Sequence, residues 1–406
     1  MDRKQAATRR IGLSLGADIC WPIAYEQIVE GLGLDVAVER VPIEPFDLQK
    51  KIDYDVVIDR LTHWYGVRRE WIKKALLLDD VYVFNNPWSV QSMEKQTTYC
   101  AMMRLGLHVP KTWLIPPKSY TDVPDLDRTL KSYAKLFDLE RIGEEVGYPL
   151  FMKPYDGGGW IGVTKIDDAK ELAQAYETSG NLVMHLQHGV VPYDAFVRCV
   201  GLGPQVRTVR YAPSAPLHDR YTMDMDWLDD ADVRELEDIT LTINAFFGWD
   251  FNSCESLRRD GTWYPIDFAN PCPDSQVTSL HFHWPWLIKA KIRWSLFCAM
   301  SRRPMRLNLS WQDYFDVDPT LPYRERLVAY AKLARAHFDA PAFEAFCKHE
   351  LKDLDAVAWD WFGTEACRNA IAKKVDALYP EHERKEFSEL FWRRVQLWRE
   401  QERQQR

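Results

Sequence analysis

A lysine and a run of three glycines lie between two apolar stretches in "YPLFMKPYDGGGWIGVTKI", residues 148–166. Lys153 precedes a proline, and residues before proline avoid the helical region, so Lys153 is expected at the end of an extended strand. Gly157, Gly158 and Gly159 can turn their backbone N–H groups toward one ligand without a Cβ in the way, which suits a polyphosphate. No Gly-Lys-Ser/Thr follows, so this is not a Walker A loop. Taken alone, the stretch is equally compatible with a surface lysine beside a loose hairpin.

A second stretch with candidate chemistry is "CESLRRDGTWYPIDFANPCPD", which has the pattern of a β-hairpin. A three-residue loop formed by residues 260–262, with glycine at its left-handed position, would place Arg259 opposite Trp263 and Glu255 opposite Asp267. The two carboxylates would then lie side by side, with Cβ atoms about 5 Å apart, and like charges in that position destabilise a sheet.

A bound cation would remove the repulsion between these carboxylates. Asn270 follows at the end of the second strand, where it could turn its side-chain oxygen toward Glu255 and Asp267. Oxygen ligands from Glu, Asp and Asn, without His or Cys, are those that Mg²⁺ prefers. The sequence therefore predicts a magnesium site. The alternative is an exposed hairpin whose acids are solvated or paired with the neighbouring arginines.

The composition of the chain restricts its class. It has 406 residues, of which 46% are hydrophobic, so it is long enough for a large core and two or three domains. A net charge of -8, with no clear basic arm, disfavours nucleic-acid binding. We expect no secretory signal, because a strand-like segment follows the charged opening, and no apolar stretch approaches the roughly 20 residues that cross a bilayer. Eight cysteines without a C-x-x-C pair indicate reduced, buried thiols. We expect a soluble cytoplasmic protein without a membrane or nucleic-acid partner.

Strand-like and helix-like segments alternate in the first hundred residues. Strands are predicted in "RIGLSLG", "DVAVERVPI", "YDVVIDRL" and "DVYVFNNP", with a helix in "AYEQIVEGLGL" after the first of them. Such alternation is typical of βαβ units and a parallel sheet. A helix is then predicted in "SVQSMEKQTTYCAMMRLGL", with Met93, Gln96, Cys100 and Met103 on one side.

The rest of the chain indicates a mixed lobe followed by helices. The order strand, glycine loop, strand, helix, strand predicts a small α+β lobe, and "DAFVRCVGLGPQVRTVRYA" predicts two strands around a Gly-Pro turn. After about residue 285 the pattern changes to tryptophan-rich helices. We therefore predict an α/β fold with α+β lobes. Its expected domains are an N-terminal βαβ domain (1–110), a small lobe with the glycine-rich loop (111–190), a larger lobe with the metal site (191–285) and a helical extension (286–406).

Taken together and in order, these motifs resemble the ATP-grasp superfamily, in its carboxylate–amine ligase type, which includes ribosomal-protein glutamate ligases and D-alanine–D-alanine ligases. The resemblance covers roughly residues 10–285 and implies an ATP-grasp fold. It implies the following ATP-binding residues: Lys95, Lys153, Gly157, Gly158, Gly159, Gln187 and Val190. It also implies that Glu255, Asp267 and Asn270 bind Mg²⁺.

Two positions depart from the family pattern. The family usually spaces its last acid and asparagine as acid-x-Asn, whereas two residues separate Asp267 from Asn270. Ribosomal-protein-type ligases have an Asp-x-Arg pair, and here Phe196 replaces the acid while Arg198 remains, with Asp194 two residues earlier.

The resemblance implies that ATP activates a carboxylate as an acyl phosphate, which an amine attacks to give an amide, ADP and phosphate. Phosphoryl transfer depends mainly on positioning and charge neutralisation, as lysines and Mg²⁺ provide. Because the intermediates are anionic, Arg210, Arg198 and Arg220 are candidates to stabilise them, the alternative being structural arginines. The expected substrates are a small carboxylate and an amine, an amino acid or short peptide. Small-molecule phosphorylation, ester or thioester formation, and a non-catalytic nucleotide-binding scaffold remain alternatives.

Overall fold

The computed structural model describes residues 8–62, 65–92, 94–121, 123–156 and 161–405. The chain forms two compact units. The first unit comprises Met1–Ser92, Val197–Cys254 and Pro271–Arg406, and the second comprises Met93–Phe196 and Glu255–Asn270. The predicted division into four domains stays a prediction. Among the residues described, no helix combines the length and hydropathy that crossing a bilayer requires.

The N-terminal part of the first unit is a four-stranded parallel sheet with strand order β2-β1-β3-β4. Its elements are β1 (Arg9–Ser14), α1 (Cys20–Gly31), β2 (Val36–Arg40), β3 (Val56–Asp59), α2 (Gly66–Asp79), β4 (Tyr82–Phe84) and α3 (Pro87–Ser92). The β-branched and aromatic side chains of β3 and β4 are buried, as is typical of parallel strands covered on both faces. The predicted parallel βαβ arrangement is confirmed.

The second unit is built on an antiparallel sheet with strand order β5-β8-β6-β7. Its elements are α4 (Lys95–Leu105), β5 (Thr112–Ile115), α5 (Leu126–Tyr133), α6 (Leu139–Val146), β6 (Leu150–Pro154), β7 (Thr164–Ile166), α7 (Ala169–Thr178) and β8 (Met184–His188). Apolar side chains of α6 and α7 pack with those of the sheet into one core that includes Ile142, Leu150, Leu172 and Leu186. Because this core occupies one face of the sheet, side chains at alternate strand positions are left for the other face.

Two β-hairpins form a third sheet with strand order β10-β9-β11-β12. Its elements, with the helices between them, are β9 (Ala195–Leu202), β10 (Gln205–Arg210), a 3₁₀ turn (Leu217–Asp219), α8 (Asp230–Phe247), β11 (Phe251–Arg259) and β12 (Thr262–Asp267). β9 and β10 pair antiparallel across Gly203 and Pro204, as predicted. β12 is an edge strand, which permits a proline within it.

The C-terminal part of the first unit is helical, as predicted. It consists of α9 (Val277–Leu280), a 3₁₀ turn (His281–His283), α10 (Trp284–Met300), α11 (Trp311–Phe315), α12 (Tyr323–His337), α13 (Ala340–Glu350), α14 (Leu354–Trp361), α15 (Glu365–Asp376), a 3₁₀ turn (Glu381–Glu383) and α16 (Arg384–Gln405). α10 is buried on nearly all sides and packs against β1, β3 and α1. The C-terminal helices therefore complete the core that begins with the N-terminal sheet.

Candidate functional site

Two lysines of the second unit lie near its carboxylates. Lys95 is the first residue of α4, and Lys153 lies next to the end of β6, where the sequence predicted it. Both side chains are buried. The Lys95 ammonium lies 3.6 Å from the carboxylate of Asp267. Helix α4 and strand β6 therefore bring both predicted ATP lysines to the same hairpin.

Gln187 fixes the position of the Lys153 ammonium. Lys153 Nζ donates a hydrogen bond to Gln187 Oε1 at 2.7 Å, and Gln187 Nε2 donates to Thr112 Oγ1 at 2.9 Å. The registers of β5, β6 and β8 explain this arrangement, because Gln187 pairs with Thr112 on one side and lies diagonal to Lys153 on the other. Val190, predicted to contact adenine, is buried just after β8.

The carboxylate hairpin is confirmed, but its predicted three-residue loop is wrong. Arg259 pairs with Thr262, and Arg258 pairs with Trp263, so only Asp260 and Gly261 form the loop. Asp260 has φ 51° and Gly261 has φ 71°, and a two-residue loop with positive φ at both positions is a type I′ turn. An Asp-Gly dipeptide favours that turn because both residues tolerate the left-handed conformation.

A β-bulge restores the predicted pairing of the carboxylates. Ser256 pairs with Pro265, whereas Glu255 pairs with Asp267, so Ile266 is an extra residue without a partner on β11. Bulges change the register by one residue, which here compensates for the shorter turn. The proline beside the bulge has no N–H to donate to the ladder. Glu255 and Asp267 therefore lie opposite each other, as the sequence predicted.

The backbone carbonyl of Ile266, the extra residue of the bulge, accepts two side-chain hydrogen bonds. Lys153 Nζ donates to it at 3.1 Å, and the hydroxyl of Tyr99 donates to it at 2.9 Å. Buried backbone carbonyls need such partners. The bulge thus connects the carboxylate hairpin with β6 and α4.

Burial and charge set the protonation of the groups around Lys153. Burial lowers the pKa of Lys153 to about 8, while Asp267 and Glu255 favour its charged form and Lys95 opposes it. Burial, with the charges of Lys153 and Lys95, lowers the pKa of His185 to about 3, so its ring is neutral near pH 7. The site therefore holds its positive charge on lysines.

The residues predicted to bind Mg²⁺ fit that ion chemically. Glu255 and Asp267 are opposed on one face of the hairpin, and Asn270 Nδ2 lies 3.3 Å from Asp267 Oδ1. Within the described ranges, no group of three or more His, Cys, Asp or Glu side chains is arranged to hold a metal ion. Mg²⁺ commonly uses one or two carboxylates, with phosphate oxygens and water as further ligands. The two carboxylates match that requirement, whereas Asn270 turns its amide nitrogen toward Asp267 as a hydrogen-bond donor.

The three glycines of the predicted phosphate loop, Gly157, Gly158 and Gly159, lie outside the described residues. Of the segment quoted above, the structure describes β6 up to Pro154, the next two residues, and β7 with the residues that lead into it. The phosphate-binding role of the glycines stays a prediction.

The three candidate arginines belong to the first unit. Arg198 donates from Nε to Ser253 Oγ at 3.2 Å and also bonds the hydroxyl of Tyr221. Arg220 Nε donates to a backbone carbonyl within its own loop at 3.2 Å. Arg210 lies half-exposed, 3.4 Å from the carboxylate of Asp224. Arg210 thus has the most accessible guanidinium of the three.

Tyr99, His185 and the Ile266 carbonyl are site groups that the sequence analysis did not identify. His185 Nε2 lies 3.0 Å from Gln96 Oε1, and its ring contacts that of Tyr99. Tyr99 follows Lys95 by four residues, a spacing that places both on one helix face. The sequence pattern emphasised another side of α4, whereas the structure buries Lys95, Thr98, Tyr99, Met102 and Leu105. Pro265 within a predicted strand was the available signal for the bulge.

Comparison with known proteins gives one curated relative and several structural neighbours, and no family model matches the chain. The D-alanine–D-alanine ligase of Streptomyces griseus subsp. griseus is 26% identical over 218 residues, covering 48% of this chain and 51% of that protein. The chain thus matches about half the length of this relative. Because D-alanine–D-alanine ligases are ATP-grasp enzymes, the resemblance to the ATP-grasp superfamily is confirmed.

Similar solved structures include a ligase and a macrocyclase. D-alanine–D-alanine ligase from Bacillus anthracis, complexed with ATP, has 15% sequence identity and a TM-score of 0.47, covering 70% of this chain and 92% of that chain. The macrocyclase MdnC from Microcystis aeruginosa, bound with precursor peptide MdnA, has 11% identity and a TM-score of 0.48, covering 71% of this chain and 99% of that chain.

Proposed function

We propose that this chain, which resembles the ATP-grasp superfamily, is an ATP- and Mg²⁺-dependent ligase that joins a carboxylate to an amine. The observation that carries the proposal is the convergence, within one compact unit, of two buried lysines on an opposed pair of carboxylates. Positive charge for phosphates and oxygen ligands for Mg²⁺ are the parts that phosphoryl transfer requires.

The proposed reaction has two steps. A carboxylate oxygen of the acid attacks the γ-phosphorus of ATP, the bond to the β–γ bridging oxygen breaks, and an acyl phosphate and ADP form. An amine then attacks the acyl carbon, phosphate leaves, and the amine nitrogen loses a proton. The products are an amide, ADP and phosphate.

Each predicted residue has a role in this proposal. Lys95 and Lys153 bind ATP phosphates as point charges. Glu255, Asp267 and Asn270 hold Mg²⁺, which when bound neutralises charge on the transferred phosphoryl group. The glycines at 157–159 cover the phosphates, and Gln187 and Val190 lie beside adenine.

The anionic acyl phosphate and tetrahedral intermediate need cations of their own. We assign this role first to Arg210, because its guanidinium is half-exposed and its ion pair with Asp224 can open toward an anion. Arg198 and Arg220 are the further candidates, and the hydrogen bonds of Arg198 to Ser253 and Tyr221 suit it to orient a neighbouring group. The proposal places the reaction in the cytoplasm.

The name of the curated relative suggests the substrate class. A D-alanine–D-alanine ligase joins two amino acids, so we propose an amino acid or short peptide as the acid and an amino acid as the amine.

The test is incubation of the protein with ATP, Mg²⁺ and pools of amino acids, with assays for ADP and phosphate and a search for products by mass spectrometry. The expected product is an amide whose formation releases ADP and phosphate in equal amounts. Lys153→Met should abolish product formation, whereas Lys165→Met is the matched control, because Lys165 lies in the same unit but is paired with Asp167 near the surface.

Other outcomes would replace this function. A phosphorylated metabolite without amide would identify a kinase, and an ester or thioester would identify a different acceptor. Nucleotide binding without turnover on any pool would favour a scaffold. Lack of nucleotide binding in the presence of Mg²⁺ would reject an ATP-dependent function.

A further inference from the structure

Tyr99 lies one helical turn after Lys95 on α4, with its side chain almost fully buried. Its hydroxyl donates a 2.9 Å hydrogen bond to the backbone carbonyl of Ile266, the residue that the bulge leaves unpaired. The same carbonyl accepts from Lys153 Nζ at 3.1 Å. One oxygen therefore receives a donor from each of two elements.

The ring of Tyr99 also contacts the groups around this oxygen. Lys153 Nζ lies 5.2 Å from the ring centroid, a distance typical of a cation–π interaction. The rings of His185 and Phe268 approach edge-on at 5.4 Å and 5.5 Å between centroids. Burial raises the pKa of Tyr99 well above its ordinary value, so the hydroxyl stays protonated and remains a donor.

A carbonyl with this position controls two functional groups. It is bonded to the Lys153 ammonium on one side, and on the other it belongs to the residue that immediately precedes Asp267. A change in the direction of this carbonyl rotates the peptide bond that leads into Asp267. It also moves an acceptor of Lys153.

We propose that Tyr99 is a positioning residue of the nucleotide site. Its hydroxyl fixes the direction of the Ile266 carbonyl, and the carbonyl in turn orients the Lys153 ammonium and the Asp267 carboxylate toward an Mg²⁺-bound nucleotide. This inference rests on the function proposed above. A tyrosine that served only to fill the core would need its ring but not its hydroxyl.

Tyr99→Phe separates these two roles, because it keeps the ring and removes only the hydroxyl. The matched control is Tyr176→Phe in the same unit. The hydroxyl of Tyr176 also donates to a backbone carbonyl, that of Pro116, at 3.2 Å, and its ring lies 5.8 Å from Lys118 Nζ. Tyr176 lies on α7, outside the groups assigned to nucleotide binding.

The experiment is calorimetric titration of wild type and both variants with ADP, with and without Mg²⁺, together with their thermal midpoints. Loss of one hydrogen bond predicts that Tyr99→Phe weakens Mg²⁺–ADP binding about three- to tenfold. The loss without Mg²⁺ should be smaller, because the metal that Asp267 is proposed to hold is then absent and only the contact of Lys153 with phosphate is affected. Tyr176→Phe should bind as wild type, and both midpoints should stay within a few degrees of wild type.

The Mg²⁺ dependence is the readout that a packing role would not change. Equal binding by wild type and Tyr99→Phe would overturn the inference, as would an equal loss with and without Mg²⁺ or an equal loss in Tyr176→Phe. If wild type itself fails to bind ADP, the proposed function is rejected; wild-type binding with an unaffected Tyr99→Phe rejects the positioning role alone.

Discussion

Lys153 in the second unit and Lys291 in the first are both buried lysines whose pKa is lowered by burial, to about 8 for Lys153 and about 7 for Lys291. Their surroundings differ. Lys291, on α10, lies 3.7 Å from the ring centroid of Trp21 and 4.8 Å from that of Phe251, and it donates to Ser275 Oγ at 2.8 Å. Lys153 instead bonds a side-chain amide and a backbone carbonyl beside two carboxylates.

The comparison shows that burial alone does not identify a ligand-binding lysine. Among the neighbouring charges, Arg60 has the largest effect on Lys291 and lowers its pKa. The largest charge effect on Lys153 comes from Asp267, which raises its pKa. A lysine beside carboxylates that can bind a metal is suited to phosphate. A lysine between aromatic rings is stabilised by those rings and is suited to packing.

The largest expected effect concerns the carboxylates that distinguish Lys153. Glu255→Gln and Asp267→Asn should each lower ATP turnover about a hundredfold or more, because the metal that they are proposed to hold would neutralise charge in the transition state. Asp260→Asn is the matched control, since it removes an acid from the same hairpin at a left-handed position that Asn tolerates. Near-wild-type turnover in both carboxylate variants would show that the hairpin is not the metal site.

A smaller effect is expected from the lysines themselves. Lys153→Met should weaken ADP binding about ten- to a hundredfold, as expected for loss of a charged hydrogen-bond donor to phosphate. Lys291→Met should leave ADP affinity unchanged, because the rings of Trp21 and Phe251 beside Lys291 can pack against an apolar side chain. Calorimetry on both variants tests this, and equal losses would remove the distinction between the two lysines.

The pH dependence of ADP binding should separate the same lysines. In the protein without nucleotide the pKa of Lys153 is about 8, compared with 10.5 for an ordinary lysine, so its ammonium loses its proton above pH 8. Phosphate favours the charged form, so ADP affinity should fall above pH 8, by up to about tenfold per unit. Lys153→Met should abolish this fall and Lys291→Met should keep it. A flat wild-type profile between pH 7 and 9.5 would contradict the assignment.

The free energy of unfolding without ligand should change in the opposite direction. Between pH 8 and 10.5 the unfolded chain binds a proton at Lys153 that the folded protein does not. The contribution of Lys153 to stability is therefore unfavourable below pH 8 and improves as pH rises through this window. Denaturant unfolding of wild type and Lys153→Met at several pH values measures the contribution as their difference.

The smallest effect is expected at the turn, which the bulge separates from the carboxylates. Gly261→Ala forces alanine into φ 71°, although no atom lies within 4 Å of the added Cβ, so it should cost about 1 kcal/mol of stability. ADP affinity should be unchanged. Gly180→Ala, at another open left-handed glycine, gives the cost of the conformation away from the hairpin, and a selective loss of ADP affinity in Gly261→Ala would show that the turn sets the site.

The hairpin shows which features of the candidate site can be predicted from the sequence. The predicted pairing of Glu255 with Asp267 is correct although the predicted loop is one residue longer than the real one. The extra residue at the bulge, Ile266, compensates for the shorter loop. Alternating strand patterns identify which residues share a face, but a bulge depends on tertiary partners, here Tyr99 and Lys153, that no local pattern contains.

The fold was predictable in the same uneven way. The parallel sheet, the two hairpins and the C-terminal helices follow from period and turn signals. The buried face of α4 could not be predicted in this way. It contains Lys95, Thr98 and Tyr99, residues whose types do not indicate burial. A buried lysine is recognisable only once its carboxylate and carbonyl partners are known.

The two hydrogen bonds that hold Lys153 to Gln187 and Ile266 have a kinetic and entropic consequence. Ordering a free lysine side chain costs about 1.5 to 2 kcal/mol of conformational entropy. Here that ordering occurs when the protein folds. Under the proposed function, an arriving nucleotide would meet a cation with a single orientation and would replace one acceptor oxygen with another, so binding would not wait for Lys153 to change rotamer. When ADP leaves, Gln187 and the Ile266 carbonyl would compete with it for the ammonium, which would favour rapid release of product.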